Sequence, residues 1–123
     1  MGKRARRRRA EGTAPAALPD APTSTYTADD GETTLELRGV LTPKTRTKYA
    51  QTREGGVRED AWQRSVELLF EHLAVAWAPA GVPYEGQKEL LARFRAASPE
   101  ERAWIRGRLR EHLAEHFPEL PAP

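Results

Sequence analysis

Apolar residues recur at spacings of three and four between residues 60 and 78, and this pattern predicts the longest helix of the chain. The recurring positions are Trp62, Val66, Leu69, Phe70, Leu73 and Trp77. Leu68 and Val75 widen the stripe, so we expect this central helix to be covered on more than one side. It should begin near Asp60, where an acid suits the positive end of the helix dipole, and end at Pro79.

A β-hairpin is predicted ahead of the central helix. Residues that favour β-strands lie on both sides of Asp29-Asp30-Gly31, and Asp-Gly is a strong signal for a hairpin turn. In the second strand Leu35 and Leu37 alternate with polar residues, so both should point to one face. Because a single hairpin is only marginally stable in water, we expect these leucines and Tyr26 to pack on helices.

A first helix is predicted directly after the hairpin. Thr42 suits the N-cap position and Pro43 suits the first helical position. The helix should continue to about Arg53, and Gly55-Gly56 should stop it. Its apolar face is thin and consists mainly of Tyr49 and Ala50.

Two further helices are predicted after the loop that follows the central helix. The first should extend from Gln87 to Ala97, and its inward residues should be Leu90, Leu91 and Phe94. The run Ser98-Pro99-Glu100-Glu101 matches a capping box with proline at the first helical position, so the last helix should begin there. That helix should reach about Phe117. Its apolar stripe consists of Ile105, Leu109, Leu113 and Phe117.

Together these elements predict an α+β domain that is mainly α, with an N-terminal β-hairpin followed by about four helices. A chain of 123 residues points to one domain at most, and we place it at residues 26–123. Residues 1–25 contain an arginine-rich block and then a stretch rich in Ala, Pro and Thr, with almost nothing to bury. They predict a disordered basic N-terminal tail.

The basic character of the chain is concentrated in that tail. The formal net charge is +2, yet removing the six basic residues of the first ten leaves 14 basic residues against 18 acidic ones, a balance of −4. The six are Lys3, Arg4, Arg6, Arg7, Arg8 and Arg9. They could bind phosphate or an acidic partner electrostatically, but no aromatic residue among them supports base stacking. A fold that binds nucleic acid usually carries its basic patch within the domain.

The absence of cysteine excludes disulfides, thiolate metal ligands and a cysteine nucleophile. The basic N-terminus is not followed by the apolar stretch of a secretory signal, and no apolar run approaches the ~18 residues of a membrane span. We therefore expect a cytoplasmic protein that does not contact membranes.

The stretch "REHLAEHF" at residues 110–117 contains H-x-x-E-H, the metal-site signature of one class of zinc peptidases. His112 and His116 share a helix face and could bind one ion, but a catalytic zinc needs a third protein ligand. Only seven residues follow His116, and His72 is the one other histidine. We therefore expect half-exposed histidines that border the apolar stripe, and no metal or other cofactor. A zinc site at His112 and His116 is the less favoured alternative.

No other arrangement predicts catalysis. The sequence has no G-x-S-x-G, no phosphate-binding loop and no histidine near a candidate serine, and capping explains the paired acids at helix starts. The three tryptophans are more informative, because a partly exposed tryptophan at a helix edge is typical of a protein-binding groove. The candidate partner-binding residues are Trp62, Leu69, Phe70, Leu73, Trp77 and Trp104.

The order of the elements over residues 32–117 resembles the tail assembly chaperones of long-tailed bacteriophages. In "TLELRGVLTP", the residues that match the Leu-Arg strand and Leu-Thr helix start common in such proteins are Leu35, Leu37, Arg38, Leu41 and Thr42. The similarity continues with Trp77, the turn with Gly81 and Pro83, Leu90-Leu91, and Ser98-Pro99. The arginine-rich tail departs from this pattern.

The resemblance implies a small non-enzymatic protein that binds the helical tape-measure protein while tail-tube subunits assemble around it. Its partners would be the tape-measure protein and the tail-tube protein, and self-association into a homo-oligomer stays open. Apolar anchors at helical spacing suit helix-in-groove binding, and an acidic body would suit a client with basic stretches. The alternative is a small nucleic-acid-associated or regulatory protein that uses the arginine-rich tail. A metal-dependent hydrolase is the third.

Overall fold

Four β-strands and four α-helices lie within residues 22–54 and 58–123, the part of the chain that the computed structural model describes. In chain order they are β1 (Thr23–Thr27), β2 (Thr34–Arg38), α1 (Pro43–Glu54), α2 (Arg58–Leu73), β3 (Ala74–Ala78), β4 (Tyr84–Glu85), α3 (Gln87–Arg95) and α4 (Pro99–His116). The predicted α+β class, mainly α, is confirmed. Residues 1–21 of the predicted tail lie outside the described residues, and β1 begins ahead of the predicted domain boundary at Tyr26.

The strands form one antiparallel sheet in the order β1-β2-β3-β4. β1 and β2 are the predicted hairpin, in which Leu35 and Leu37 are buried. In the turn, one carboxylate oxygen of Asp30 accepts hydrogen bonds from the backbone N–H groups of Glu32 and Thr33, each at 2.8 Å. The bonds from Thr33, followed by that from Glu32, hold the pKa of Asp30 below its ordinary value. The turn is therefore fixed by its own side chain.

The central helix is shorter than its apolar pattern predicts. α2 ends at Leu73, and Ala74–Ala78 form the strand β3 instead of further helical turns. β3 pairs with β2, so that Trp77 lies opposite Leu35. Leu73 and Trp77 are buried in this arrangement, as they would be in a longer helix, so periodicity alone does not separate the two structures. The backbone groups of β2 on this side need hydrogen-bond partners, and β3 supplies them. The predicted helix through Trp77 was therefore wrong.

The first helix begins as its capping residues predict. The Oγ1 atom of Thr42 accepts a hydrogen bond from the backbone N–H of Thr45 at 3.2 Å. Tyr49 is buried as predicted, but Ala50 is exposed, so the prediction of an apolar face that includes Ala50 was wrong. Thr45 lies four residues before Tyr49 and is the second buried residue of α1, because this spacing returns to the same helix face. The predicted stop at residues 55–56 lies outside the described residues.

The predicted capping box of α4 is present. Ser98 Oγ accepts from the backbone N–H of Glu101 at 3.1 Å, and the Glu101 carboxylate accepts from the backbone N–H of Ser98 at 2.9 Å. The predicted inward residues of α3 are Leu90 and Phe94, which are buried, and Leu91, which is half-buried. Both helices therefore begin at the predicted residues and turn the predicted side chains toward the core. α3 ends at Arg95, two residues before the predicted Ala97.

One cluster of buried apolar side chains joins the sheet to all four helices. Phe70 of α2 stacks on Phe94 of α3 with ring centroids 4.7 Å apart, and contacts the edge of Trp77 at 5.7 Å. The predicted stripe of α4 is buried in the same cluster: Ile105, Leu109, Leu113 and, just after the helix, Phe117. Among the described residues, no helix combines the length and the apolar character needed to cross a membrane.

Candidate binding groove

A groove with a volume of about 800 Å³ lies between α2 and α4, next to the end of α3. We call it the α2–α4 groove. Its lining residues are Trp62, Gln63, Arg64, Val66, Glu67, Phe94, Ala97, Pro99, Arg102, Ala103, Arg106, Gly107 and Arg110. This volume is toward the upper end of the roughly 300–1,000 Å³ that is typical of ligand pockets, so the groove can accept several side chains of a partner.

The floor of the α2–α4 groove is apolar. Val66 and Phe94 belong to the buried core, and Trp62 and Ala97 pack against that core while remaining partly exposed. On the facing helix, Gly107 leaves space: a Cβ atom built there would have no neighbour within 4 Å. The absence of a side chain at this position keeps the groove open on the α4 side.

The rim of the groove on α4 is a row of three arginines. Arg102, Arg106 and Arg110 are spaced by four residues, so they lie along one helix face over about 12 Å. The guanidinium carbon of Arg106 lies 4.2 Å from the centroid of the Trp62 ring, and that of Arg102 lies 5.5 Å from the Phe94 ring. These cation–π contacts orient two of the arginines over the apolar floor.

The hydrogen bonds of the three arginines are made to backbone oxygens. Arg102 donates to Arg95 at 2.7 Å, whereas Arg106 and Arg110 donate to Pro123 at 3.2 and 3.4 Å. Among the side chains of residues 22–54 and 61–123, no carboxylate forms an ion pair with any of the three. Burial, and then the neighbouring charge of Arg110, hold the pKa of Arg106 below its ordinary value.

Among the described lining residues, the one acidic side chain is already paired. Glu67 accepts from Arg95 at 2.9 Å, so its charge is compensated by a residue of α3. The groove therefore presents a positive rim above an apolar floor, although the chain from residue 11 onward has more acids than bases. The sign of this surface is therefore opposite to that of the body as a whole, and the expectation of a client with basic stretches stays a prediction.

Four of the six predicted partner-binding residues do not form a surface. Leu69, Phe70, Leu73 and Trp77 are all buried, at 1% exposure or less, so they contribute to the core and cannot contact a partner in this conformation. Their helical spacing reflects packing on α3, α4 and the sheet. This part of the site prediction was wrong, because a buried stripe and a binding stripe have the same periodicity.

The other two predicted residues are half-buried and lie at different sites. Trp62 lines the α2–α4 groove, whereas Trp104 lines a separate cavity of about 170 Å³ beside Thr33, Trp77 and Pro79. The guanidinium of Arg108 lies 5.5 Å from the centroid of the Trp104 ring. Only Trp62 therefore belongs to the groove. The arginine row was not predicted, although its four-residue spacing is visible in the sequence.

His112 is fully buried and does not border the core as predicted. Its Nε2–H donates to the backbone oxygen of Arg38 at 2.5 Å, and its Nδ1 accepts from the Tyr26 hydroxyl at 2.8 Å. Because its partner is a carbonyl oxygen, Nε2 must carry a proton, and in the neutral imidazole Nδ1 is then the acceptor. Burial holds the pKa of His112 below its ordinary value, in agreement with a neutral ring. The prediction of a half-exposed position was wrong for this residue.

His116 is half-buried beside His112, with ring centroids 4.5 Å apart. Its Nε2 lies 3.3 Å from the Ser24 hydroxyl. Both nitrogens of His112 are engaged in hydrogen bonds, so a metal ion would have to displace one of them. In the described ranges, no group of three or more His, Cys, Asp or Glu side chains is placed to bind a metal ion.

The six basic residues of the tail were the other predicted site. They are Lys3, Arg4, Arg6, Arg7, Arg8 and Arg9, and all lie outside the described residues. Comparison with known proteins adds no assignment: no family model, no curated protein and no solved structure matches this chain.

Proposed function

We propose that this chain is a non-enzymatic, helix-binding protein that acts in the cytoplasm as a tail assembly chaperone for the tape-measure protein of a long-tailed bacteriophage. The α2–α4 groove carries the helix-binding part of this proposal, because it is an open channel with an apolar floor between two helices. The identity of the client rests on the resemblance of residues 32–117 to such chaperones.

A helix is the partner that suits this groove. An amphipathic helix binds by placing apolar side chains, three or four residues apart, into a channel between two helices. Trp62 offers a large, partly exposed aromatic face on one wall, and Gly107 leaves room on the other. Aromatic residues in such positions frequently contribute most of the binding energy.

The decisive experiment is co-expression of the full chain with fragments of the tape-measure protein encoded in the same genome. A stable complex on co-purification supports the proposal, and no complex with any tail protein overturns it. The variant Trp62→Ala should weaken the complex, whereas Trp104→Ala, which changes the separate cavity, should leave it intact. Equal effects of both variants would remove the assignment to this groove.

A second variant fills the groove without removing a contact. Gly107→Leu places a side chain in open space on α4 and replaces glycine by a strong helix former, so the fold should be at least as stable. The complex should nevertheless be lost, because the new side chain occupies the channel. A Gly107→Leu protein that is folded and still binds normally would contradict the proposed site.

The tail provides a second candidate function, binding of nucleic acid, on the basis of its six basic residues. Deletion of residues 1–10 distinguishes binding of the tape-measure protein from binding of nucleic acid. The tape-measure complex should survive this deletion, whereas nucleic-acid binding through the tail should disappear and should weaken steeply with added salt.

A further inference from the structure

We infer that the partner of the α2–α4 groove is an acidic amphipathic helix, with carboxylates four residues apart beside its apolar stripe. This inference rests on the proposed helix-binding function and specifies the chemistry of the partner. It follows from the arrangement of Arg102, Arg106 and Arg110, which line the groove in one row and form no ion pair with a side-chain carboxylate of residues 22–54 and 61–123.

The geometry of the arginine row sets the spacing of the partner's carboxylates. Three residues at intervals of four lie within about 12 Å along α4. A helix that binds roughly parallel or antiparallel to α4 has the same rise per residue, so its own positions at intervals of four are in register with the row. Charges one or two residues apart on such a partner point to different faces of its helix, so only one of them would meet the row.

The state of the arginines favours carboxylates over neutral acceptors. Arg102 donates to the backbone carbonyl of Arg95, a neutral acceptor, whereas Arg106 and Arg110 share an oxygen of Pro123, the last residue of the sequence. A carboxylate of a partner would give Arg102 a charge-assisted bond of about twice the strength of its present one. Arg106 has the most to gain, because it is half-buried over the Trp62 ring and its pKa is lowered by burial and by the charge of Arg110. An approaching carboxylate would relieve this repulsion.

The opposite wall of the groove does not cancel this preference. Among the lining residues whose side chains are described, Glu67 is the one acid, and its carboxylate is paired with Arg95. On that part of the surface, a basic helix would therefore meet the arginine row and no unpaired acid. Single-stranded nucleic acid is also anionic, and it could use Trp62 for stacking. The floor formed by Val66, Phe94 and Ala97 is apolar and offers a phosphate backbone no polar group to bind. The groove therefore favours an amphipathic helix over single-stranded nucleic acid.

The test uses the full chain and three designed peptides of about 16 residues, a length at which an isolated helix can form. All carry one leucine stripe at helical spacing. One has glutamate at intervals of four beside the stripe, one has glutamine there, and one has lysine. Fluorescence anisotropy of labelled peptides should show that the glutamate peptide binds at least roughly tenfold tighter than the glutamine peptide, and that the lysine peptide binds weakest.

Variants of the arginine row identify the residues responsible. In Arg102→Gln/Arg106→Gln/Arg110→Gln, the glutamate and glutamine peptides should bind equally. The matched control is Arg108→Gln, which removes an arginine of the same helix that pairs with Glu111 at 3.2 Å and does not line the groove. It should keep the full preference. Arg106→Glu should bind the lysine peptide better than the wild-type chain does, a gain that misfolding cannot produce.

Three outcomes would overturn the inference. Equal binding of the glutamate and glutamine peptides to the wild-type chain would show that the row does not select charge. An equal loss of preference in Arg108→Gln would show that only net charge matters. Binding of a single-stranded oligonucleotide that depends on the row, without binding of any peptide, would assign the surface to nucleic acid. A tape-measure fragment that binds without charge preference would reject the inference but keep the proposed function, and failure of every helical partner would reject both.

Discussion

Two faces of α4 carry polar side chains in opposite situations. On the face toward β1 and β2, His112 is buried and both ring nitrogens have partners in the fold. On the face toward α2, Arg102, Arg106 and Arg110 line an open groove and donate hydrogen bonds to oxygens of Arg95 and Pro123. A polar group that is buried with all its bonds made internally supports the fold, whereas charged groups that line an open groove are available for binding.

The largest expected effect tests the histidine face. His112→Ala should lower the free energy of unfolding by roughly 2–4 kcal/mol, because it opens a cavity and leaves the Tyr26 hydroxyl and the Arg38 carbonyl without partners. Denaturant unfolding followed by circular dichroism measures the change. His116→Ala is the control and should cost less than about 1 kcal/mol, since His116 is half-exposed. If Arg106→Gln were as destabilising as His112→Ala, the distinction between the two faces would fail.

Tyr26→Phe should have an intermediate effect. It removes only the hydroxyl that donates to Nδ1 of His112 and retains the ring, which packs edge-on to the imidazole with centroids 5.8 Å apart. We expect a loss of about 1 kcal/mol in the free energy of unfolding, the value of one hydrogen bond with an unsatisfied partner. The double variant Tyr26→Phe/His112→Ala should cost less than the sum of the single variants. Strict additivity would show that the two residues do not interact.

On the groove face, Gly107→Ala should stabilise the protein. The added methyl group meets open space, and alanine is the better helix former by about 0.5–1 kcal/mol. Thermal unfolding should shift upward, while binding of a helical partner should change little because one methyl group does not fill the groove. A destabilised Gly107→Ala protein would indicate that the groove is closed in solution.

The smallest expected effect is a dependence of stability on acidic pH. Burial lowers the pKa of His112 below its ordinary value of 6.5, so the unfolded chain binds a proton before the folded chain does. Stability should therefore decrease as the pH falls below about 6.5, and the decrease should end below the folded pKa. Because the pKa of His72 is also lowered by burial, the contribution of His112 is the difference between wild type and His112→Gln measured across this range. Parallel pH profiles for the two proteins would exclude His112 as the source.

The sequence correctly predicted the turn and the helix starts, because each depends on residues close together in the chain. The turn at Asp30, the cap at Thr42 and the capping box at Ser98 each depend on residues within a few positions, and each is present. Partners distant in sequence decided the rest. β3 forms because β2 lies beside it, and His112 is buried because Tyr26 and Arg38 come from the hairpin. The periodicity of residues 60–78 does not indicate the contact between β2 and β3, and that of residues 110–117 does not indicate the contacts of His112 with the hairpin.

The candidate site was the least predictable part. Apolar residues at helical spacing indicate that a face is covered, but not whether the same chain or a partner covers it. Leu69 and Phe70 are covered by the chain itself, while Trp62, one turn of α2 from Val66, remains partly exposed. The histidine string matched a known metal-site signature. The arginine row matched none, and its significance depends on the open space beside Gly107, which only the fold defines.

The direct succession of α2 and β3 has a mechanical consequence for the groove. Leu73 is the last residue of the helix and Ala74 is the first residue of the strand, so no loop separates them. Ala74 is buried and paired with Leu37 of β2, so a tilt of the α2 wall has to change the backbone dihedral angles at this junction or move the sheet. We therefore expect the groove to change its width mainly through α3 and α4. A wall that is already in place when a partner binds reduces the entropy that binding has to overcome.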